Sequence, residues 1–182
     1  MISKIVDTYG KDPFLILISC LLSLRTRDTV TLPVSLKLFS YARTPTDLLK
    51  IPVSQLEKII YPVGFYKRKS KLLHEISKEL IERFDGKVPS NEADLLSLKG
   101  VGHKTAALVL GEAFGIPAIC VDTHVHRISN LLGLVHTKTP EQTEIELKKI
   151  LPKKYWIEWG RLLVKWGQNT PRSSLISRLP IK

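Results

Sequence analysis

The chain has 182 residues, with 28 Lys and Arg against 17 Asp and Glu, a formal net charge of +11 and a pI near 9.7. At 43% hydrophobic residues it can bury a core, which excludes a disordered basic tail. Its two cysteines, Cys20 and Cys120, exclude a disulfide framework, a four-cysteine zinc site and any four-thiolate cluster built from these residues alone, and they suit a reducing, intracellular, cytoplasmic setting.

The first element is an apolar run over 13–24, broken only by Ser19, Cys20 and Ser23. At 12 residues it is too short for a bilayer span, which needs ~20. It also lacks the basic start and small-residue cleavage site of a signal peptide, so it reads as a buried core helix and no membrane is expected. Thr44-Pro45, Pro89-Ser90 before an Ala-Asp-Leu-Leu run, and Thr139-Pro140 with Gln142 are helix starts, because a Ser or Thr oxygen caps free N–H groups and Pro tolerates the first turn. Over 68–84, Leu72, Leu73, Ile76, Leu80, Ile81 and Phe84 share one helical face. Further helices are expected over 93–98, 104–114, 123–132, 141–150 and 155–166, and no alternating strand or hairpin signal interrupts them. The expected class is all-α, with about ten short helices. Trp156, Trp159 and Trp166 lie at helical spacing on the last of these, as core or as a platform for stacked bases. A charge of +11 on such a domain calls for a polyanion, with nucleic acid favoured over an anionic membrane.

The segment Leu98-Lys99-Gly100-Val101-Gly102-His103-Lys104-Thr105-Ala106 places two glycines around one apolar residue, between two helices. That suits a tight turn in which Gly accepts left-handed angles and Val101 points into the junction. It presents main-chain N–H groups at a helix N-terminus, a way to hold phosphate without reading bases; a plain αα turn is the alternative.

Lys104 falls in the first turn of that helix, where the dipole opposes its charge and partial burial would lower its pKa further. A lysine neutral part of the time is a nucleophile that can form a Schiff base; otherwise it binds phosphate. Eighteen residues on, Val121-Asp122-Thr123-His124-Val125-His126-Arg127 sets Asp122 at a helix start, as an N-cap, a stabiliser of a developing sugar cation, or both. The i, i+2 spacing of His124 and His126 puts them on different helix faces, which disfavours a two-histidine metal site.

LKGVGHKTA followed by VDTHVHRI, and preceded by LLSLRTRD and YPVGFYKRKSK, resembles the endonuclease III branch of the helix-hairpin-helix DNA glycosylases over roughly residues 12–170. The resemblance implies a two-lobed helical fold with the active site in the cleft between lobes. One lobe would cover 6–115, with the hairpin motif at about 93–114, and the other 1–5 and 116–182. It implies Lys104 as catalytic lysine and Asp122 as catalytic aspartate, in a reaction where a flipped nucleotide loses its base to the lysine and a Schiff base permits β-elimination. DNA contacts are implied at Gly100, Val101, Gly102, His103 and Thr105 of the hairpin, and at His124 and Arg127. Phe65 is the side chain expected to wedge into the gap left by the flipped base, with core packing as its alternative. Lys67, Arg68 and Lys69 beside it are expected on phosphates, or else on a solvated face. An optional monovalent cation would sit on the main-chain carbonyls of Leu96, Leu98 and Val101.

The chain departs from the family at two places. Arg25 stands where relatives carry a Gln that fills the space of the extruded base, which leaves lesion and opposite-base preference open. Many relatives end in four cysteines on a [4Fe–4S] cluster, whereas residues 171–182 contain none, so no iron–sulfur cluster and no required cofactor are expected. Arg172, Arg178 and Lys182 would supply part of that loop's positive charge. The expected protein is a monomeric repair enzyme that removes oxidised pyrimidines from duplex DNA and cleaves abasic sites. The alternatives are an abasic-site lyase alone, a uracil or thymine mismatch glycosylase, an adenine glycosylase, and a non-catalytic helix-hairpin-helix binding module.

Overall fold

The computed structural model describes residues 1–170, and among them the chain is helical throughout, without strands. In order, α1 spans Ile2–Tyr9, α2 Pro13–Ser23, α3 Asp28–Phe39, α4 Pro45–Lys50, α5 Val53–Ile60, α6 Tyr66–Phe84, α7 Glu92–Ser97 and α8 His103–Phe114. These belong to a first compact unit, Met1–Gly115; a second, Ile116–Lys182, contains α9 Thr123–Leu131, α10 Pro140–Ile150, a 3-10 turn Lys153–Tyr155 and α11 Trp156–Asn169. Residues 1–5, expected with the second lobe, instead fall in the first unit, because α1 buries Ile5 and packs on α2. No helix among the described residues is long and apolar enough to cross a membrane.

In the first unit α2 is the axis. Asp12 caps it by accepting from the Leu15 N–H at 3.0 Å, Pro13 occupies the first turn, and every residue from Phe14 to Leu22 is buried. A helix apolar on all sides needs neighbours on all sides, and α1, α3, α6 and α8 supply them. Thr44 caps α4 through the Asp47 N–H, whereas the helix after Pro89 is capped by Asn91 and not by Ser90, since the Asn91 side-chain oxygen Oδ1 accepts from Asp94 N–H at 2.9 Å.

In the second unit Ile119, Val121, Val125, Ile128, Val135, Leu147, Trp156 and Leu163 form the core, with Trp159 and Trp166 packed against it. The three tryptophans thus pack inward, and Trp156 donates its indole N–H to the Leu151 carbonyl at 2.8 Å. Thr139 caps α10 through the Gln142 N–H at 3.3 Å, and Gln142 reaches back to the Lys138 N–H at 2.9 Å, one residue beyond the cap itself.

Candidate nucleic-acid interface and catalytic residues

The hairpin is α7, a turn and α8. Gly100 has φ +78°, which favours glycine, and a Cβ there would lie 2.9 Å from Leu72 Cδ2, a side-chain end that would have to turn away. Gly102 differs from the expectation: its φ is −104°, which any residue adopts, and nothing lies within 4 Å of where its Cβ would be. The open space is itself what a close approach by a backbone-bound ligand needs. Val101 is buried in the junction, as its apolar character requires, and acts on any ligand through its main chain alone.

Gly102 is the N-cap of α8 and supplies no side-chain cap, so the first-turn N–H groups of residues 103–105 point out of the helix end, at its positive pole. Around it, His103 lies 3.4 Å from the Glu92 carboxylate and Lys99 2.8 Å from that of Glu75, both exposed pairs of the weak, exchangeable kind. Thr105 corrects an expectation. The residue is 3% exposed, so its side chain is not presented to a phosphate. Lys104 lies in the first turn and is exposed.

In the second unit Asp122 caps α9 with one carboxylate oxygen, which accepts from the N–H groups of His124 at 2.9 Å and Val125 at 3.0 Å. The cap fixes the orientation of a half-buried carboxylate. His124 packs on Gly167, while His126 Nδ1 bonds the Thr143 hydroxyl at 2.6 Å; the two imidazoles have separate partners and do not converge. Arg127 is half-buried.

The residues expected to form a wedge lie in the first unit. Phe65 is exposed at 60% and is therefore not core; its φ of 59° is left-handed, and it forms the N-cap of α6. Arg25, also left-handed at φ 53°, places its guanidinium carbon 6.0 Å from the Phe65 ring centroid. Lys67 and Arg68 are exposed and available to phosphate.

Lys69 is not available. It is 6% exposed and its ammonium donates to the carbonyls of Leu22 at 2.7 Å and Leu24 at 2.6 Å, at the end of α2. Burial lowers its pKa from 10.5 to about 8, and its acceptors favour the ammonium that remains at neutral pH. The expected phosphate contact is thereby overturned. A signal for this was present in the spacing, since residue 69 shares one helical stripe with Leu73, Ile76 and Leu80, all fully buried. Residues 171–182, with Arg172, Arg178 and Lys182, lie outside the described residues.

Residues 18–153 match the HhH-GPD superfamily of base excision DNA repair proteins. The chain belongs to that superfamily. Within it, endonuclease III of Thermotoga maritima is 48% identical over 161 residues, covering 85% of this chain and 76% of that protein. Endonuclease III-like protein 1 of Bos taurus is 41% identical over 158 residues, again 85% of this chain but 52% of the relative, so the HhH-GPD chain spans about half of the longer homologues. Among solved structures, a trapped covalent intermediate of endonuclease III with DNA, in an estranged-adenine complex, superposes with a TM-score of 0.85 at 31% identity, covering 98% of this chain and 89% of that one. The all-helical class and the endonuclease III resemblance are thus both shown.

Proposed function

We propose that this chain is a base excision repair enzyme, a DNA glycosylase and abasic-site lyase that removes oxidised pyrimidines from duplex DNA. The observation that carries the reading is Lys104, an exposed primary amine in the same helical turn whose N–H groups, at residues 103–105, point outward to hold phosphate. A nucleophile beside a backbone grip is redundant in a pure binding module.

In the proposed reaction the hairpin seats the strand through main-chain donors, Phe65 and Arg25 face the stack, and the damaged nucleotide leaves it. The Lys104 amine, once unprotonated, attacks the sugar C1′ carbon, and the base departs with the bond electrons and a proton. Asp122, held by its two N–H bonds, stabilises the positive charge that develops on the sugar. Ring opening gives a Schiff base, loss of the 2′ proton expels the 3′ phosphate, and water releases the lysine. Because Lys104 is exposed, the exclusion of water from its amine falls to the bound DNA.

The enzyme is proposed to act as an intracellular monomer on damaged or abasic duplex DNA. A monovalent cation on the carbonyls of Leu96, Leu98 and Val101 fits as an optional brace; the Leu98 carbonyl accepts one bond, from Val101 N–H at 3.1 Å, and keeps a second lone pair. No iron–sulfur cluster is part of this proposal, since the two cysteines, Cys20 inside buried α2 and Cys120, are two short of a four-thiolate set.

Borohydride trapping tests the reading. Duplexes carrying thymine glycol, uracil or an abasic site are incubated with the protein and reduced; a covalent adduct is expected with thymine glycol and the abasic site, and none with Lys104→Gln. Trapping on the abasic duplex alone would reduce the function to lyase activity, and no adduct on any duplex would overturn the lysine's role.

A further inference from the structure

Arg25 and Phe65 are exposed side chains on strained, left-handed backbone, 40 residues apart in the chain and stacked against each other. Such conformations persist only where the surroundings over-determine them, and here one side chain does so. The Lys69 ammonium has three N–H bonds and three acceptors: the Leu22 carbonyl, the Leu24 carbonyl and the Thr26 hydroxyl, the last at 3.2 Å. Arg25 is therefore pinned on both sides, between Leu24 and Thr26. The Thr26 hydroxyl also accepts the Gly64 N–H at 3.1 Å, which ties down the residue directly before Phe65. Gly64 admits this approach because it has no Cβ; one placed there would stand 3.1 Å from the Arg25 carbonyl oxygen and 3.2 Å from Thr26 Oγ1.

We propose that Lys69 is a positioning residue that presets Arg25 and Phe65 as one paired wedge, ready to enter the duplex where a nucleotide has left the stack. The proposal rests on the reading of this chain as a base-flipping enzyme. A buried cation at the end of α2 is what the negative pole of a helix accommodates, so the wedge is anchored to the most buried helix of its unit. Neither wedge residue needs to be ordered at the moment of insertion, and that saving appears in the rate of flipping.

Lys69→Met keeps an unbranched side chain, one atom shorter, and removes all three donors. Thr26→Val leaves the two carbonyl bonds and removes the hydroxyl that accepts from both the Lys69 ammonium and the Gly64 N–H. Both are assayed on a duplex with thymine glycol and an adjacent 2-aminopurine, whose fluorescence rises when its neighbour unstacks. The expected result is a loss of at least ten-fold in single-turnover excision at saturating enzyme, with half-saturation changed less than three-fold and the 2-aminopurine rise slowed in parallel. Lys69→Arg, which keeps charge and donors, should recover part of the rate. If Lys69→Met fails to fold, Thr26→Val decides. Wild-type rates and fluorescence in a folded variant would overturn the proposal, as would losses that merely track the melting temperature. A wild-type protein that gives the fluorescence rise without excision would refute the proposed chemistry while leaving the wedge intact.

Discussion

The imidazole of His124 lies against the bare backbone of Gly167, so that a Cβ on the glycine would fall 2.4 Å from Nδ1, 2.8 Å from Cγ and 2.9 Å from Cβ of the histidine. The histidine Cβ is fixed by the backbone, so no side-chain rotation relieves that contact, and α9 and α11 would have to separate. Gly167→Ala should therefore destabilise the protein by about 1–3 kcal/mol. Gly160, on the same helix, would bring its Cβ to 3.5 Å from the Cys120 carbonyl oxygen, an ordinary contact. Gly160→Ala should be neutral or stabilising by up to about 1 kcal/mol through helix propensity. Denaturant melts of the two variants check the contrast, which equal stabilities would erase.

The hairpin glycines separate folding from binding. Gly100→Ala combines a φ of +78° with a contact at 2.9 Å and should cost stability. Gly102→Ala meets neither obstacle in the protein. It should melt within about 0.5 kcal/mol of wild type, yet bind duplex DNA more weakly, because its methyl group stands where a phosphate must approach the N–H groups. Anisotropy titrations at fixed salt, paired with melts, distinguish these outcomes.

Most of the helical order was legible because the chain carries its own punctuation. Thr44, Thr139 and Asp122 cap through their side chains, and each marks a helix start within a residue. The unforeseen helices lack that signal: α1, α3 and α5 have no side-chain cap, and α3 carries Pro33 in its interior. They form because tertiary burial of Ile5, Leu38, Leu56 and Ile60 overrides weak local propensity. The candidate site was legible in residue type but not in burial. Lysines 67, 69 and 71 look alike in a basic run, and only their rotation about α6 decides that one of them is interior.

Asp122 holds a helix and, in the proposed reaction, a charge. Asp122→Asn keeps an oxygen for the two N–H groups and should retain fold and DNA affinity while losing turnover. Asp122→Ala should lose turnover and about 1 kcal/mol of stability as well. Melts and single-turnover assays on both variants check this, and turnover surviving in Asp122→Asn would reduce the residue to a cap.

Lys69 has a pKa of about 8 in the folded protein against an ordinary 10.5. Below pH 8 both states hold the proton. Between about 8 and 10.5 the unfolded chain holds a proton that the native state has released, so stability should rise with pH across that window. The slope is bounded at about 1.4 kcal/mol per pH unit for one group. Lys69→Met should lack this contribution, and superimposable slopes in pH-dependent denaturant melts of the two proteins would contradict it.

The burial of α2 on every side also makes it a built-in clock for the first unit. Amide protons from Phe14 to Leu22 reach solvent only when helices packed around them open, so their hydrogen–deuterium exchange reports the cooperative unfolding of that unit and not local fraying.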